Sequence, residues 1–403
     1  MKKIFLLLSV FLIFSLLISG CAPKKDTTPP QQVWQKTYGG SNDDEAFSIQ
    51  QTTDGGYIVA GWTESFGAGN RDVYIIKLDS NGNKVWEKTY GGEYYDRASS
   101  IQQTSDGGYI VAGGTYSFGA GYYDFYIIKL DSNGNKVWEK TYGRSDWDNG
   151  AYSIQQTTDG GYIVAGYTWS FGAGGDFYII KLDSNGNKVW EKTYGGSNWD
   201  DWASSIQQTT DGGYIVAGLT YSFGAGSADF YIIKLDSNGD KVWEKTYGGS
   251  KNDVAFSIQQ TTDGGYIVAG LTDSFGAGYD DFYIIKLDSN GDKVWEKTYG
   301  GSSYDEAYSI QQTTDGGYIV AGLTDSFGAG GSNFYIIKLD SNGDKVWEKT
   351  YGGSNDDWAR SIQQTTDGGY IVAGWTRSFG AGNRDFYIIK TDSEGNTGPY
   401  PTQ

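Results

Sequence analysis

The chain has 403 residues, with 31 Lys and Arg against 49 Asp and Glu, a formal net charge of −18, no histidine and one cysteine. Such acidity repels nucleic acid and anionic lipid surfaces and excludes both as natural partners. The lack of histidine removes Ser-His-Asp and Cys-His catalysis, histidine-ligated metals and the commonest general base, and a lone cysteine leaves no intrachain disulfide.

Residues 1–20 have the pattern of a targeting segment: Lys2 and Lys3, then an apolar run from Ile4 to Ile18. The run is shorter than the ~20 residues of a comfortable membrane span. It ends in Ile18-Ser19-Gly20-Cys21, which resembles the lipobox of bacterial lipoproteins, and Cys21 is the only cysteine. That resemblance implies cleavage before Cys21, lipidation there, and a membrane-anchored protein on an exported face. Ala22 after the cysteine implies delivery to the outer membrane or cell surface. Removing residues 1–20 takes away two lysines and no acid, so the remainder is more acidic still. Residues 21–32, with Pro23, Pro29 and Pro30 among polar residues, are a flexible tether.

Residues 33–396 repeat one unit seven times. A Trp recurs at Trp34, Trp86, Trp138, Trp190, Trp243, Trp295 and Trp347, at intervals of 52 or 53 residues. Self-similarity at this period marks solenoids, propellers or arrays, whose units bury their apolar faces only by stacking. Each unit predicts four strands separated by Gly, Asn and Asp turn signals. The first is short and partly polar, as in Ser257–Gln260. An Asp-Gly-Gly hairpin follows, Asp-Gly supplying the positive φ of a tight turn. The second, Gly265–Gly270, and the third, Phe282–Leu287, are almost continuously apolar, which predicts cover on both faces. Asp288-Ser-Asn-Gly-Asp292 turns into the fourth, Lys293–Tyr299, whose alternation suits an edge. The fold class expected is therefore all-β, a seven-bladed β-propeller of four-stranded blades. Val33–Tyr38 is a fourth strand ahead of the first complete blade, and the last unit lacks one. The N-terminal strand is thus expected to close the ring. Residues 397–403 form a C-terminal tail.

The repeats resemble bacterial SBBP-type seven-bladed propeller lipoproteins and, more loosely, WD-repeat and kelch proteins. This implies an exported propeller domain and is specific for architecture, not for activity. Leu-Asp-Ser-Asn-Gly-Asn-Lys-Val-Trp also resembles the Asp…Gly…Trp docking motif of quinoprotein propellers, which is structural there and implies blade packing. No cofactor and no metal is expected; the Asp-Ser-Asn-Gly turns have oxygen ligands, but the Gly precedes the position a calcium loop requires.

Residues identical in every unit, among them the turn Asp, the fourth-strand Trp and the Gln pairs, are expected to hold the blades together. Variation is confined to two connections that leave the ring on one face, fourth-to-first and second-to-third. Seven tryptophans outside the repeat set and all six arginines lie on or beside them. Trp, Tyr and Arg are enriched at binding hot spots. A ligand-binding face is therefore expected around Tyr94, Tyr95, Trp147, Trp169, Trp199 and Trp202 in blades 2 to 4. Trp358, Trp375, Arg377, Arg384, Trp62 and Arg71 gather where blades 7 and 1 meet. The partner expected is a glycan or protein. The alternatives are a polysaccharide hydrolase or lyase using loop carboxylates such as Asp43, Asp44, Glu45, Asp200 and Asp201, or a purely structural surface component.

Overall fold

The computed structural model describes residues 32–400 apart from 121, 145, 146, 173 and 198. The targeting segment, Cys21 and most of the tether lie outside the described residues. Within them the chain forms twenty-eight strands, β1 to β28, in seven four-stranded antiparallel sheets. Blade 1 runs outward from the axis as β2 (Asp44–Gln51), β3 (Tyr57–Thr63), β4 (Asp72–Leu78) and β5 (Lys84–Tyr90). Blades 2 to 6 repeat that order. Blade 7 consists of β26 (Asp357–Gln364), β27 (Tyr370–Thr376), β28 (Asp385–Thr391) and, as its outer strand, β1 (Trp34–Tyr38). The ring closes by Trp34 pairing with Lys390 and Tyr38 with Phe386. Thr397 to Tyr400 lie along this seam: the Gln35 amide donates to the Gly398 carbonyl and Phe379 stacks on Tyr400 at 4.3 Å.

The core lies between blades. On β3 the pleat sends Tyr57 and Val59 into a cluster with Ile371, Phe386 and Ile388 of blade 7, and Ile58 and Ala60 into one with Ile101, Tyr109 and Tyr126 of blade 2. A strand covered on both faces needs apolar residues at every position, which is why its sequence does not alternate. Trp34 reaches across to the next blade, where its ring meets Tyr57 at 5.9 Å and its Nε1–H donates to Ser80 O at 3.2 Å. Gly82 sits beneath it at φ +72, and a Cβ there would come within 2.9 Å of the indole.

The inner strand corrects one expectation. It spans eight residues from Asp44, not four from the Ser-Ile-Gln-Gln run, so part of what looks like variable loop is strand. A bulge hides it: Ala46 pairs with Gly61 and Ser48 with Ala60, leaving Phe47 unpaired. The glycine opposite is required, because a Cβ on Gly61 would fall 1.8 Å from the Glu45 carbonyl. The bulge recurs in all seven inner strands.

Candidate functional site at one mouth of the channel

The two ends of the central channel have different chemistry. At the hairpin end, Ile49 and Gln50 and their six counterparts line a cavity of about 260 Å³. The side chains there join the blades. Gln50 Oε1 accepts from the Gln103 N–H at 2.6 Å, Ser48 Oγ from the Ile101 N–H at 3.2 Å, and Gln103 Oε1 from the Thr53 N–H at 2.9 Å. The first of these contacts recurs around the whole ring, ending with Gln363 Oε1 on the Gln51 N–H at 2.6 Å. The glutamine oxygens are thus committed to backbone donors.

The turn aspartates are similarly committed. Asp54 accepts from the Thr52 hydroxyl, the Gly56 N–H and the buried Lys77 ammonium at 2.9 Å. Its partial burial raises the pKa, but these donors outweigh that and hold the carboxyl down at about 2. Asp79 Oδ1 accepts from the N–H groups of Asn81 and Asn83, which accounts for the Asp-Ser-Asn-Gly turn as turn chemistry.

The opposite mouth is asymmetric, because the bulged position varies among Phe, Ser, Tyr and Arg around the ring: Phe47, Ser99, Tyr152, Ser204, Phe256, Tyr308 and Arg360. Bulged residues of neighbouring blades touch around the axis. Phe256 packs on Tyr308 at 4.9 Å, the Arg360 guanidinium lies 4.1 Å from the Tyr308 ring, and it is 5.5 Å from Phe47 across the seam. Two residues earlier stand Glu45, Arg97, Gly150, Trp202, Val254, Glu306 and Trp358. Glu45 is paired with Arg384, and Glu306 accepts from the Tyr308 hydroxyl. Burial raises the pKa of both glutamates, against the pull of the arginines near Glu45 and of the Tyr308 hydroxyl on Glu306. On the far side Trp202 packs on Tyr167 at 5.3 Å, and Tyr167 on Tyr152 at 5.7 Å.

The residues singled out from the sequence divide by burial. Trp147, Trp169 and Trp199 are exposed, Trp147 at 60% and Trp199 at 65%, and so are Tyr94 and Tyr95. Trp62 and Trp375 lie inside strands, 3% and 2% exposed. Trp62 supports the Arg71 guanidinium 3.6 Å above it, and Trp375 supports Arg384 at 4.7 Å. Trp358 is half-buried against Trp375, and Arg377 pairs with Asp356 at 3.2 Å. Of the loop carboxylates, Asp44 and Asp201 are fully buried. Asp44 Oδ2 accepts from Gly40 N–H and Ser65 Oγ and so ties the connection down. Phe47, Tyr152, Phe256, Tyr308, Tyr167 and Glu306 were not anticipated. The bulged set had a signal: one variable position between an invariant Ala and the invariant Ser-Ile-Gln-Gln.

Residues 124–372 match the sequence family described as outer membrane protein assembly factor BamB, and residues 52–84 and 104–136 match a β-propeller domain of unknown function. The regulatory protein FlaEY of Caulobacter vibrioides is 23% identical over 273 residues, 61% of this chain. The chain spans only 28% of FlaEY's length. Among solved structures, the Pan2 WD40 domain of Neurospora crassa superposes with a TM-score of 0.54 at 11% identity, covering 93% of this chain and 99% of that one. A puromycin hydrolase mutant complexed with PGG also reaches 0.54 at 11% identity, covering 91% and 55%. At these identities the structural likeness shows the fold alone.

Proposed function

The chain belongs to the family described as outer membrane protein assembly factor BamB, and from that premise we propose that it is a non-enzymatic binding module of the cell envelope that recognises a glycan at the asymmetric mouth of its channel. One observation carries this reading: an otherwise sevenfold repeat concentrates aromatic rings and guanidinium groups, arranged without sevenfold symmetry, around a single opening. Such rings offer flat faces for sugar rings and polar edges for hydroxyl groups. Lipidation at Cys21, the 21–32 tether and kinship with SBBP-type exported repeats belong to the same proposal. They would hold the domain at a membrane.

A glycan array probed with the full chain in detergent tests the reading. Retention of a defined glycan class, lost on Trp202→Ala or Tyr308→Ala without loss of fold, supports it. A blank array with folded protein refutes it.

Two observations favour other readings. The exposed Tyr94, Tyr95, Trp147 and Trp199 suit a protein partner. Such a partner, or a regulatory role like that in FlaEY's name, would appear as capture by the variable face that Trp199→Ala abolishes. Glu45 and Glu306 at the mouth, both with raised pKa, give the polysaccharide-hydrolase alternative two candidate carboxylates. Glycan turnover lost in Glu306→Gln would establish it.

A further inference from the structure

Five of the six arginines have a carboxylate in reach. Arg71 pairs with Glu64, Arg377 with Asp356 and Arg384 with Glu45. Arg360 acts electrostatically on Glu45 and Glu306, and Arg144 on Glu191. Arg97 differs in its partners: among the described residues it forms no ion pair, its guanidinium hydrogen-bonds the Tyr123 and Tyr152 hydroxyls, and its Nε–H, like those of Arg360 and Arg384, is buried without an acceptor. A guanidinium stays protonated at any physiological pH, so this is a fixed positive charge whose hydrogen-bond partners are neutral hydroxyls and whose Nε–H has none. In a chain with an 18-charge excess of acid, a cation left without a carboxylate calls for a reason.

Arg97 lines a cavity of about 340 Å³ on the variable face, between blades 1, 2 and 3. Its guanidinium is 5.7 Å from the Tyr123 ring and 5.5 Å from the Tyr152 ring. Tyr116, packed on Tyr123 at 4.6 Å, and Tyr167, packed on Tyr152 at 5.7 Å, complete the walls. Burial pushes the Tyr123 hydroxyl up to about 12 and raises that of Tyr167 as well, so both remain donors across the physiological range. Arg71 and Tyr95 form the rim, with Arg71 already neutralised by Glu64 at 2.7 Å. Asp96, the one acid in the lining, has its Oδ2 engaged by the Gly92 N–H and the Ser117 hydroxyl at 2.8 and 2.6 Å.

We infer that this cavity binds one carboxylate-bearing sugar ring, a uronic acid residue of an acidic glycan, with its carboxylate on Arg97 and its ring against the tyrosine faces. The volume is that of a small-ligand pocket. A planar guanidinium takes a carboxylate through paired, charge-assisted hydrogen bonds. Every lining residue ends in a polar group and none is aliphatic, which suits a ring bearing hydroxyls on its edge. A peptide carboxylate would bring side chains that need an apolar recess, and none is present in the lining. The inference rests on the glycan reading proposed above and names the ligand class at one site of the same face.

The test is calorimetric titration of the full chain in detergent with trimers of galacturonate and glucuronate, and with the neutral trimers of galactose and glucose. Wild type, Arg97→Gln, Tyr152→Phe and, as a charge control on an outer strand, Lys88→Gln are compared after each is shown to be folded. The expected result is binding of an acidic trimer at least about tenfold tighter than its neutral counterpart, with that margin lost in Arg97→Gln and kept in Lys88→Gln. Equal binding of acidic and neutral sugars, or acidic binding unaffected by Arg97→Gln, overturns the inference while leaving the glycan reading standing. Failure of both acidic trimers to bind overturns it too. So does an acidic peptide or inorganic sulfate that binds through Arg97 as tightly as the sugar acids. A blank glycan array is the separate result that removes the underlying reading.

Discussion

Replacing Trp34 by Ala should destabilise the domain as much as replacing Trp190 by Ala. Both indoles are half-buried on an outer strand, and each covers the glycine of the next blade's turn: Gly82 for Trp34, Gly239 for Trp190. They meet the next blade's tyrosine at 5.9 and 5.8 Å. Truncating a fully buried Trp costs about 3–5 kcal/mol. With up to about a third of the surface exposed, about 2–3 kcal/mol is expected at either position. At about 2.1 cal/mol/K per residue over some 370 residues, that is a fall in melting temperature of about 3–4 °C. The two positions differ in one respect: Trp190 sits within a continuous blade, whereas Trp34 belongs to the strand that closes the ring from the opposite end of the repeats. If closure is as tight as any other interface, the two losses agree within about 0.5 kcal/mol in urea unfolding followed by far-UV circular dichroism. A silent Trp34→Ala beside a costly Trp190→Ala would refute the reasoning, because it would mean that β1 frays independently of the ring.

Deleting residues 33–40 should go further, leaving the β28 edge open and promoting association through it, measured by light scattering of the purified chain. Gln50→Ala should cost about 1–2 kcal/mol, since it leaves the Gln103 N–H without its acceptor; urea titration checks this. Gly61→Ala should be more damaging than a surface Gly→Ala, because its Cβ would overlap the Glu45 carbonyl; loss of at least 2 kcal/mol and altered aromatic circular dichroism are expected. Stability should also depend on pH in two ways. Burial, then Glu306 and Asp273, push Asp280 up to about 6, above its unfolded value near 4. The folded state therefore gains stability as pH falls from 7 towards 4, and Asp280→Asn should be more stable than wild type at pH 7–8. Asp54, Asp106 and Asp159, with folded pKa about 2, contribute fully above pH 4 and lose that contribution as pH falls through 2. Melting midpoints at pH 2–8 should trace both limbs.

The blades, their number and the strand that closes them were all legible in the sequence. Each follows from local patterning: an apolar run without alternation means two covered faces, Asp-Gly means a tight hairpin, and a fourth strand missing at one end and spare at the other means closure. The inner strand was half legible. Its bulge breaks the period of two, and what forces the bulge, the lack of a Cβ on Gly61, lies on a different strand. The candidate site was the least legible part. Trp62, at the end of a second strand, and Trp199, in a fourth-to-first connection, are the same residue type beside the same face, yet one is buried under Arg71 and the other is open to solvent. Arg97 is one of six arginines in the chain and differs from the rest only in what surrounds it.

By itself the sequence determined the repeat, the strand order and the face on which variation is allowed, because hydrogen-bonded turns and pleated strands are set by neighbours a few residues apart. Only the tertiary structure decided which variable side chains meet. Those contacts join positions some fifty residues apart across blades, as Phe256 meets Tyr308, and across the closed ring, as Arg360 meets Phe47. Charge pairing around the mouth follows from the same geometry, and it leaves Arg97 among tyrosines without a carboxylate.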